Sequence, residues 1–281
     1  MNFSTFNFEL SNFELSNFKL NMYGICNLSI VPCRKEPSDK SEMVTQLLFG
    51  EHFHVLETQE KWCRIKITYD NYECWIDKKQ FLPIEQHTFD LLNSTENYYS
   101  NDLIQIITDN KTSTLFPIVI ASTLPNFYNN ECIVENQSYS YEGSNVSSHL
   151  EENSWRMGVL ETALMYLNTP YLWGGKTPFG IDCSGFTQMV YKLNGIKLYR
   201  DAYQQAEQGE TLSFVEEAEP GDLAFFDNEE GKIVHVGIVM DDNKIIHASG
   251  KVRIDGFDHQ GVFNNDKKEY SHRLRLLKRI V

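Results

Sequence analysis

The stretch Thr169–Tyr191, TPYLWGGKTPFGIDCSGFTQMVY, crowds glycines and prolines in front of one cysteine and then switches to an apolar pattern. Glycine and proline interrupt regular structure, so the chain reads as a loop as far as Asp182. Beyond it Phe186, Met189, Val190 and Leu193 recur at the steps of one helix face, with Gly195 in a stopping position. Cys183 therefore opens a helix whose N-cap is Asp182. Unpaired amides and the macrodipole at a helix start favour a thiolate, which is the reactive form of cysteine. Gly174, Gly175 and Gly180 leave the backbone bare, so a peptide can approach and amides near Cys183 can meet an oxyanion. A buried cysteine at a glycine-rich turn would produce the same local text, so the choice depends on partners elsewhere.

Downstream, IVHVGIVM sets His235 in an apolar strand and KIIHAS sets His247 in the next, with DDNK between them. A hairpin at that turn brings both imidazoles to one sheet face, against the helix of Cys183. His235 then reads as general base and His247 as the group that orients it. Either histidine alone also fits a packed, hydrogen-bonded core residue. A zinc site from Cys183, His235 and His247 is the weaker reading, because the ligands are far apart and no C-x-x-C or H-E-x-x-H accompanies them. Neither metal nor cofactor is expected.

Around this centre the text divides. In WRMGVLETALMYLN, Met157, Leu160, Leu164 and Leu167 fall at helical steps, and GDLAFFD, HVGIVMDDNKIIHAS and HRLRLLKRIV read as antiparallel strands. Residues 150–281 are thus expected to be α+β, helices first and sheet after. Residues 22–86 consist of short strand-like runs; in KWCRIKI, Cys63, Ile65 and Ile67 alternate with Trp62, Arg64 and Lys66, which suits a small β-barrel with one wet face. Residues 87–145 read as a second β-rich unit built on LIQIITD, TLFPIVIASTLP and ECIVENQSYSYEG, either a diverged barrel or an irregular spacer. Residues 1–21 repeat FELSN and read as a low-complexity extension.

Taken together, TPYLWGGKTPFGIDCSGFTQMVY, YRDAYQQAEQGE, EPGDLAFFD and HVGIVMDDNKIIHAS resemble the NlpC-type cell-wall cysteine peptidases. The run PCRKEPSDKSEMVTQLLFGEHFHVLETQEKWCRIKITYDNYECWID resembles a bacterial SH3-like domain, with Cys74 where that family usually has glycine. The resemblance implies a papain-like α+β domain, helices packed on an antiparallel sheet, behind one or two small SH3-like barrels. It implies hydrolysis of the bond between γ-D-glutamate and a diamino acid, usually diaminopimelate, in peptidoglycan stem peptides. Carried onto this chain, it makes Cys183 the nucleophile, His235 the base and His247 the third polar member, with Tyr171 beside the thiol. Members with an N-terminal barrel often take peptides with a free N-terminal L-Ala. This implies that Asp201 meets the ammonium group, that Ala202 stands where serine is frequent, and that Asp182, Ser184 and Trp173 contact substrate. From the barrel, Glu51 and Tyr72 are the expected contributors.

Composition narrows the rest. A length of 281 residues calls for more than one domain. The formal charge, 25 − 39 = −14, argues against nucleic acid as a partner and suits an amine-bearing one. Five of the six cysteines lie in no reactive pattern and read as buried thiols of a reducing compartment. No run approaches the roughly 20 apolar residues that span a bilayer, so no membrane partner is expected. The first residues lack a secretory pattern, which points to the cytoplasm and to trimming of stem peptides already freed from the wall. The alternatives are an exported endopeptidase acting on intact wall and a non-catalytic wall-peptide binder.

Overall fold

The computed structural model describes residues 22–149 and 154–281, so the expected extension 1–21 lies outside the described residues. The first unit is a seven-stranded antiparallel sheet in the order Met43–Leu48, Ile30–Arg34, Glu73–Asp77, Trp62–Ile67, His52–Thr58, Met22–Ile25 and Leu82–Ile84. Its alternation is the one the text displays: Cys63, Ile65 and Ile67 point inward with Val31, Leu47, Phe53 and Ile76. Cys74 belongs to this core and is buried, so a small apolar thiol fills the place of a glycine.

The next segment departs from expectation. Gln86–Ser94 is a helix, whereas a β-rich reading began there. Thr88, Phe89 and Leu92 form its buried stripe, and the Phe89 ring stacks on Tyr23 of the barrel at 4.3 Å between centroids. Burial of that stripe overrides the weak helical text. The strands that follow pair as two small sheets, one of four strands (Thr114–Val119, Ile104–Asp109, Gln137–Ser140, Glu131–Val134) and one of three (Thr123–Leu124, Tyr98–Ser100, Asn145–Ser147).

In the last unit the helices Trp155–Met165, Cys183–Leu193 and Ala202–Gln205 precede the long strands. The seven-stranded sheet runs Glu210–Leu212, Glu269–Arg279, Leu223–Asp227, Ile233–Met240, Lys244–Ser249, Lys251–Asp258, Gly261–Asn264. Gly261–Asn264 also pairs back onto Glu269–Arg279, so the sheet returns on itself rather than staying an open platform. Phe186, Met189 and Val190 pack with Phe225, Val236, Ile238 and Ile246 in one core, which presses the cysteine helix onto the histidine strands. The first helix buries a different face from the one its text suggests. Trp155, Val159, Thr162 and Ala163 are inside; of the expected stripe Leu160 packs against the core, while Met157 is 69% and Leu164 44% exposed and Leu167 lies past the helix end. Both stripes have helical spacing, and only the neighbouring helix decides between them.

The glycines before Cys183 serve packing. Gly174 has φ +75°, and a Cβ there would run into the carbonyl of Met43 on the barrel. Gly175 and Gly180 likewise give their side-chain space to the Gly180 carbonyl and to Leu172. Their expected role of letting a substrate approach is therefore replaced by docking of the loop on the barrel and on itself.

Charged groups complete that docking. Glu51 of the barrel is buried between Lys176 of the loop, at 3.1 Å, and Lys192 of the cysteine helix, at 2.9 Å. Burial alone would raise the Glu51 carboxyl, but the two ammonium groups reverse this and hold it at about 2. One carboxylate serves two cations, so burial together with Lys176 outweighs Glu51 at Lys192 and lowers that ammonium's pKa. Gln46 Oε1 accepts from the Lys176 amide at 2.8 Å, Arg200 Nε donates to Thr45 Oγ1 at 2.9 Å, and Gln188 donates to Asp70 at 2.9 Å. Replacing Glu51→Gln should lower unfolding free energy by about 3–5 kcal/mol, since two buried ammoniums lose their partner. Because the folded carboxyl titrates at about 2 against an ordinary 4.5, its stabilisation is complete above 4.5 and is lost as pH falls from there through about 2. Chemical denaturation of wild type and E51Q at pH 7 and pH 3 checks both statements: the gap between them should shrink at the lower pH.

Candidate active site

Cys183 is the first residue of its helix and is 7% exposed. Asp182 caps the helix: its Oδ1 accepts from the Gly185 amide at 2.6 Å and its Oδ2 from the Gly174 amide at 2.8 Å. Arg200 then donates to both carboxylate oxygens at 3.0 and 2.6 Å, and to Ser184 Oγ at 3.0 Å. Asp182 is thus fully engaged in holding the helix start. The thiol lies against the amides of Val236 and Ser184. Burial, reinforced by Asp182, pushes it up to about 12 despite those amides and Arg200. This differs from the ionised thiol that a helix start suggests: desolvation exceeds the dipole contribution when the sulfur is buried.

The partner is built on the hairpin Ile233–Met240 and Lys244–Ser249, whose turn includes Asp242 and Asn243 at positive φ. His235 Nε2 and His247 Nδ1 are 2.8 Å apart, and His247 Nε2 is 3.1 Å from Asp255 Oδ2. Gly237 makes room for this pair, since a Cβ there would meet His247 Cβ at 2.9 Å. Asp255 is an acceptor only, so His247 carries its proton on Nε2 and receives the His235 Nε2 hydrogen on Nδ1. The Nδ1 of His235 is thereby left as a lone pair, the state a base needs. Burial opposes the Asp255 anion, yet hydrogen bonds from His247, Arg253 and the Asn265 amide hold its carboxyl well below the usual carboxylate range. Burial, with His247 and His272 nearby, depresses His235 well below its ordinary 6.5.

Sequence reasoning missed Asp255 and His272. His272 stacks on His235 at 4.1 Å and is lowered to about 4 by burial and His247. Among the described residues His235, His247 and His272 hold ligand nitrogens within 4.8 Å of one another. In the observed arrangement the His235 and His247 nitrogens bond to each other and onward to Asp255, and His272 Nδ1 sits 2.8 Å from Ser271 Oγ.

The thiol opens on a cleft of about 660 Å³ between the barrel and the last unit, whose lining includes Ile233 and Val234 of the His235 strand. Tyr171, Trp173, Asp182, Ser184, Asp201, Ala202 and Tyr72 all line it. Burial raises the Asp201 carboxyl above its ordinary range, with Arg200 and the Tyr72 hydroxyl acting against this. Glu51 does not line this cleft: it is 3% exposed and belongs to the ion cluster described above. Its place is taken by Glu42 and Glu73, which no motif marked. Glu42 accepts from Trp173 Nε1 at 2.8 Å and so joins the two walls.

The comparisons decide what such a site belongs to. Residues 168–269 match the NlpC/P60 family, and residues 33–81 match the bacterial dipeptidyl-peptidase Sh3 domain. Dipeptidyl-peptidase 6 of Lysinibacillus sphaericus is 30% identical over 253 residues, covering 80% of this chain and 88% of that protein. The chain belongs to the NlpC/P60 family. A γ-D-glutamyl-L-lysine dipeptidyl-peptidase of Bacillus subtilis (strain 168) is also 30% identical, over 73% of this chain and 71% of its own length. The crystal structure of an NlpC/P60 family protein from Bacillus cereus ATCC 10987 shares the fold, with a TM-score of 0.76 over 92% of this chain and 99% of that one at 19% identity. NlpC/P60 proteins are cysteine peptidases, and this chain carries their domain behind an SH3-like one.

Two outcomes follow from the histidine chain. If His235 accepts the thiol proton, protonating it removes that acceptor; since its pKa is depressed, the acid limb of kcat/KM should lie below pH 6.5, and a pH–rate profile locates it. Asp255→Asn can present an N–H to His247 and favour the wrong tautomer, so kcat should fall by about 10²-fold or more with KM little changed; steady-state kinetics on the folded variant measures the split.

Proposed function

We propose that this NlpC/P60 protein cleaves the γ-D-glutamyl–diamino acid bond of peptidoglycan stem peptides whose N-terminal L-Ala is free, releasing L-Ala-γ-D-Glu. The observation that carries this reading is the cleft itself. A thiol with a histidine chain behind it and acidic groups from both units, Asp201 from one and Glu42 and Glu73 from the other, face the same space. Asp201 has a desolvated carboxylate whose one cationic neighbour, Arg200, is already held by Asp182, whereas Glu42 and Glu73 are paired with Lys35 and Arg64. The Tyr72 hydroxyl stands beside Asp201, and the aromatic faces of Trp173 and Tyr203 border the same opening. Relatives named for dipeptidyl-peptidase activity support the dipeptide-sized product, and the name of one specifies L-lysine in the diamino position.

The chemistry starts from a neutral pair. Sγ of Cys183 gives its proton to His235 Nδ1 as it attacks the γ-carbonyl carbon, and the resulting thiolate and imidazolium attract each other as neither does alone. The carbonyl oxygen becomes an oxyanion met by amides at the helix start. His235 then returns the proton to the leaving nitrogen, the C–N bond breaks, and a thioester remains on Cys183. Water, deprotonated by His235, adds to the thioester carbon; the sulfur leaves, is reprotonated, and the γ-carboxylate is released. His247 and Asp255 stay in place as orienting groups.

In intact wall the L-Ala nitrogen is an amide, with no charge for Asp201 to meet. We therefore assign the activity to freed peptides and hence to their reuse in the cytoplasm. Mass spectrometry of products from L-Ala-γ-D-Glu-diaminopimelate, its L-lysine counterpart and their N-acetylated forms tests this. Free peptides should be cut at the γ-bond and acetylated ones at least ~10-fold more slowly; equal rates would sink the amine-recognition reading. Cys183→Ala should lower turnover by about 10⁴-fold or more with the fold kept. Asp201→Asn should raise KM for the free peptides by about 10–100-fold, the scale of one charge-assisted hydrogen bond.

A further inference from the structure

A second cavity, of about 280 Å³, lies apart from the catalytic cleft, where the barrel, the Gln86–Ser94 helix, the middle sheets and the end of the cysteine helix meet. We propose that it is a binding site for a small carboxylate-bearing molecule, of amino-acid or dicarboxylate size. Its walls include Thr68 and Tyr69 from the barrel, Tyr99 from the middle unit, and Lys192 and Lys197 from the last. The Thr68 Oγ1 atom is buried there without a protein partner, and the buried Tyr69 Oη has the Leu198 amide beside it but no acceptor for its own proton. Hydroxyls in that condition ask for an acceptor or donor from outside the chain.

The charges say which kind. Glu51, the acid on the wall, has both oxygens committed: Oε1 to Lys176 and Lys192, Oε2 to Lys176 and the Leu48 amide. Lys192 has a single carboxylate oxygen as partner, and its ammonium stands 5.0 Å from the Tyr69 ring and 4.8 Å from the Tyr99 ring. Lys197 brings a second ammonium to the Tyr69 ring at 5.7 Å. On the cavity wall Lys192 and Lys197 thus face one carboxylate, Glu51, which Lys176 also draws on, with Asp70 acting on Lys192 from beyond the wall. An oxyanion placed between Lys192, Lys197 and the Thr68 and Tyr69 hydroxyls would add negative charge and accept the hydroxyl protons. Burial, with Lys176 nearby, lowers the Lys192 pKa despite Glu51 and Asp70. A carboxylate suits the space better than a larger ligand, because drug-sized sites run to about 300–1,000 Å³. Leu92 and Ile196 offer an apolar patch for its carbon chain.

Because every unit contributes to the wall, occupancy would brace the junction that aligns the two sides of the catalytic cleft. Succinate is the probe, with neutral succinamide as its uncharged counterpart. Isothermal titration of the full chain should show saturable 1:1 binding of succinate and at least ~10-fold weaker binding of succinamide. Lys197→Ala, a change at an exposed side chain, and Tyr69→Phe, which keeps the ring under Lys192 and removes only the hydroxyl, should each weaken succinate by about 5-fold or more. The melting temperature of wild type should rise with succinate, and that of K197A should rise less. Absence of saturable succinate binding overturns the proposal, as does binding that neither variant weakens, which would place the anion in another site. The peptidase reading is judged separately, because hydrolysis of stem peptides needs neither Tyr69 nor Lys197.

Discussion

The buried carboxylate of Glu51 holds the architecture to its purpose. It is a barrel residue, yet its partners are the ammonium of the glycine loop and that of the cysteine helix. Desolvating three charges is costly, and it is offset only where each meets an opposite charge in good geometry. That requirement makes the contact selective: the barrel can sit in one place, with Glu51 between Lys176 and Lys192 and the Met43 carbonyl in the space Gly174 leaves. The cleft is the consequence. Glu42, Glu73 and Lys35 line its barrel side, and Cys183 lines it from the last unit.

The catalytic centre depends on the reverse principle, charge withheld until needed. Thiol and imidazole are both buried, and burial favours the neutral form of each. In the proposed mechanism a charged pair arises by proton transfer inside the site, where low dielectric strengthens its attraction. What the protein provides beforehand is direction: Asp255 sets the tautomer of His247, which sets that of His235. The acid at the end of this chain keeps its charge because Arg253 and the Asn265 amide share it with His247.

Glycine shows how one local signal supports two explanations. Bare backbone near a nucleophile suggests room for substrate, and the same bare backbone permits tight docking of a loop. Gly174 and Gly175 serve the second use, and at Gly237 the room is needed for a histidine of the same sheet. A sequence marks that a side chain is missing; what occupies the vacated space comes from elsewhere in the chain.

The sequence by itself determined the local features: a helix opened by Asp182 and Cys183, strands with alternating apolar residues, and a hairpin that pairs His235 with His247. These follow from backbone geometry and periodicity, which act over a few residues. Only the tertiary structure decided which stripe of the helix Trp155–Met165 is buried, that Gln86–Ser94 is helical, that Glu42 and Glu73 rather than Glu51 line the cleft, and that Asp255 completes the histidine chain. Glu51 and Lys176 are 125 positions apart along the chain. Contacts of that span leave no period in the text, because the energy of a buried charge is settled by whichever partner the fold carries to it.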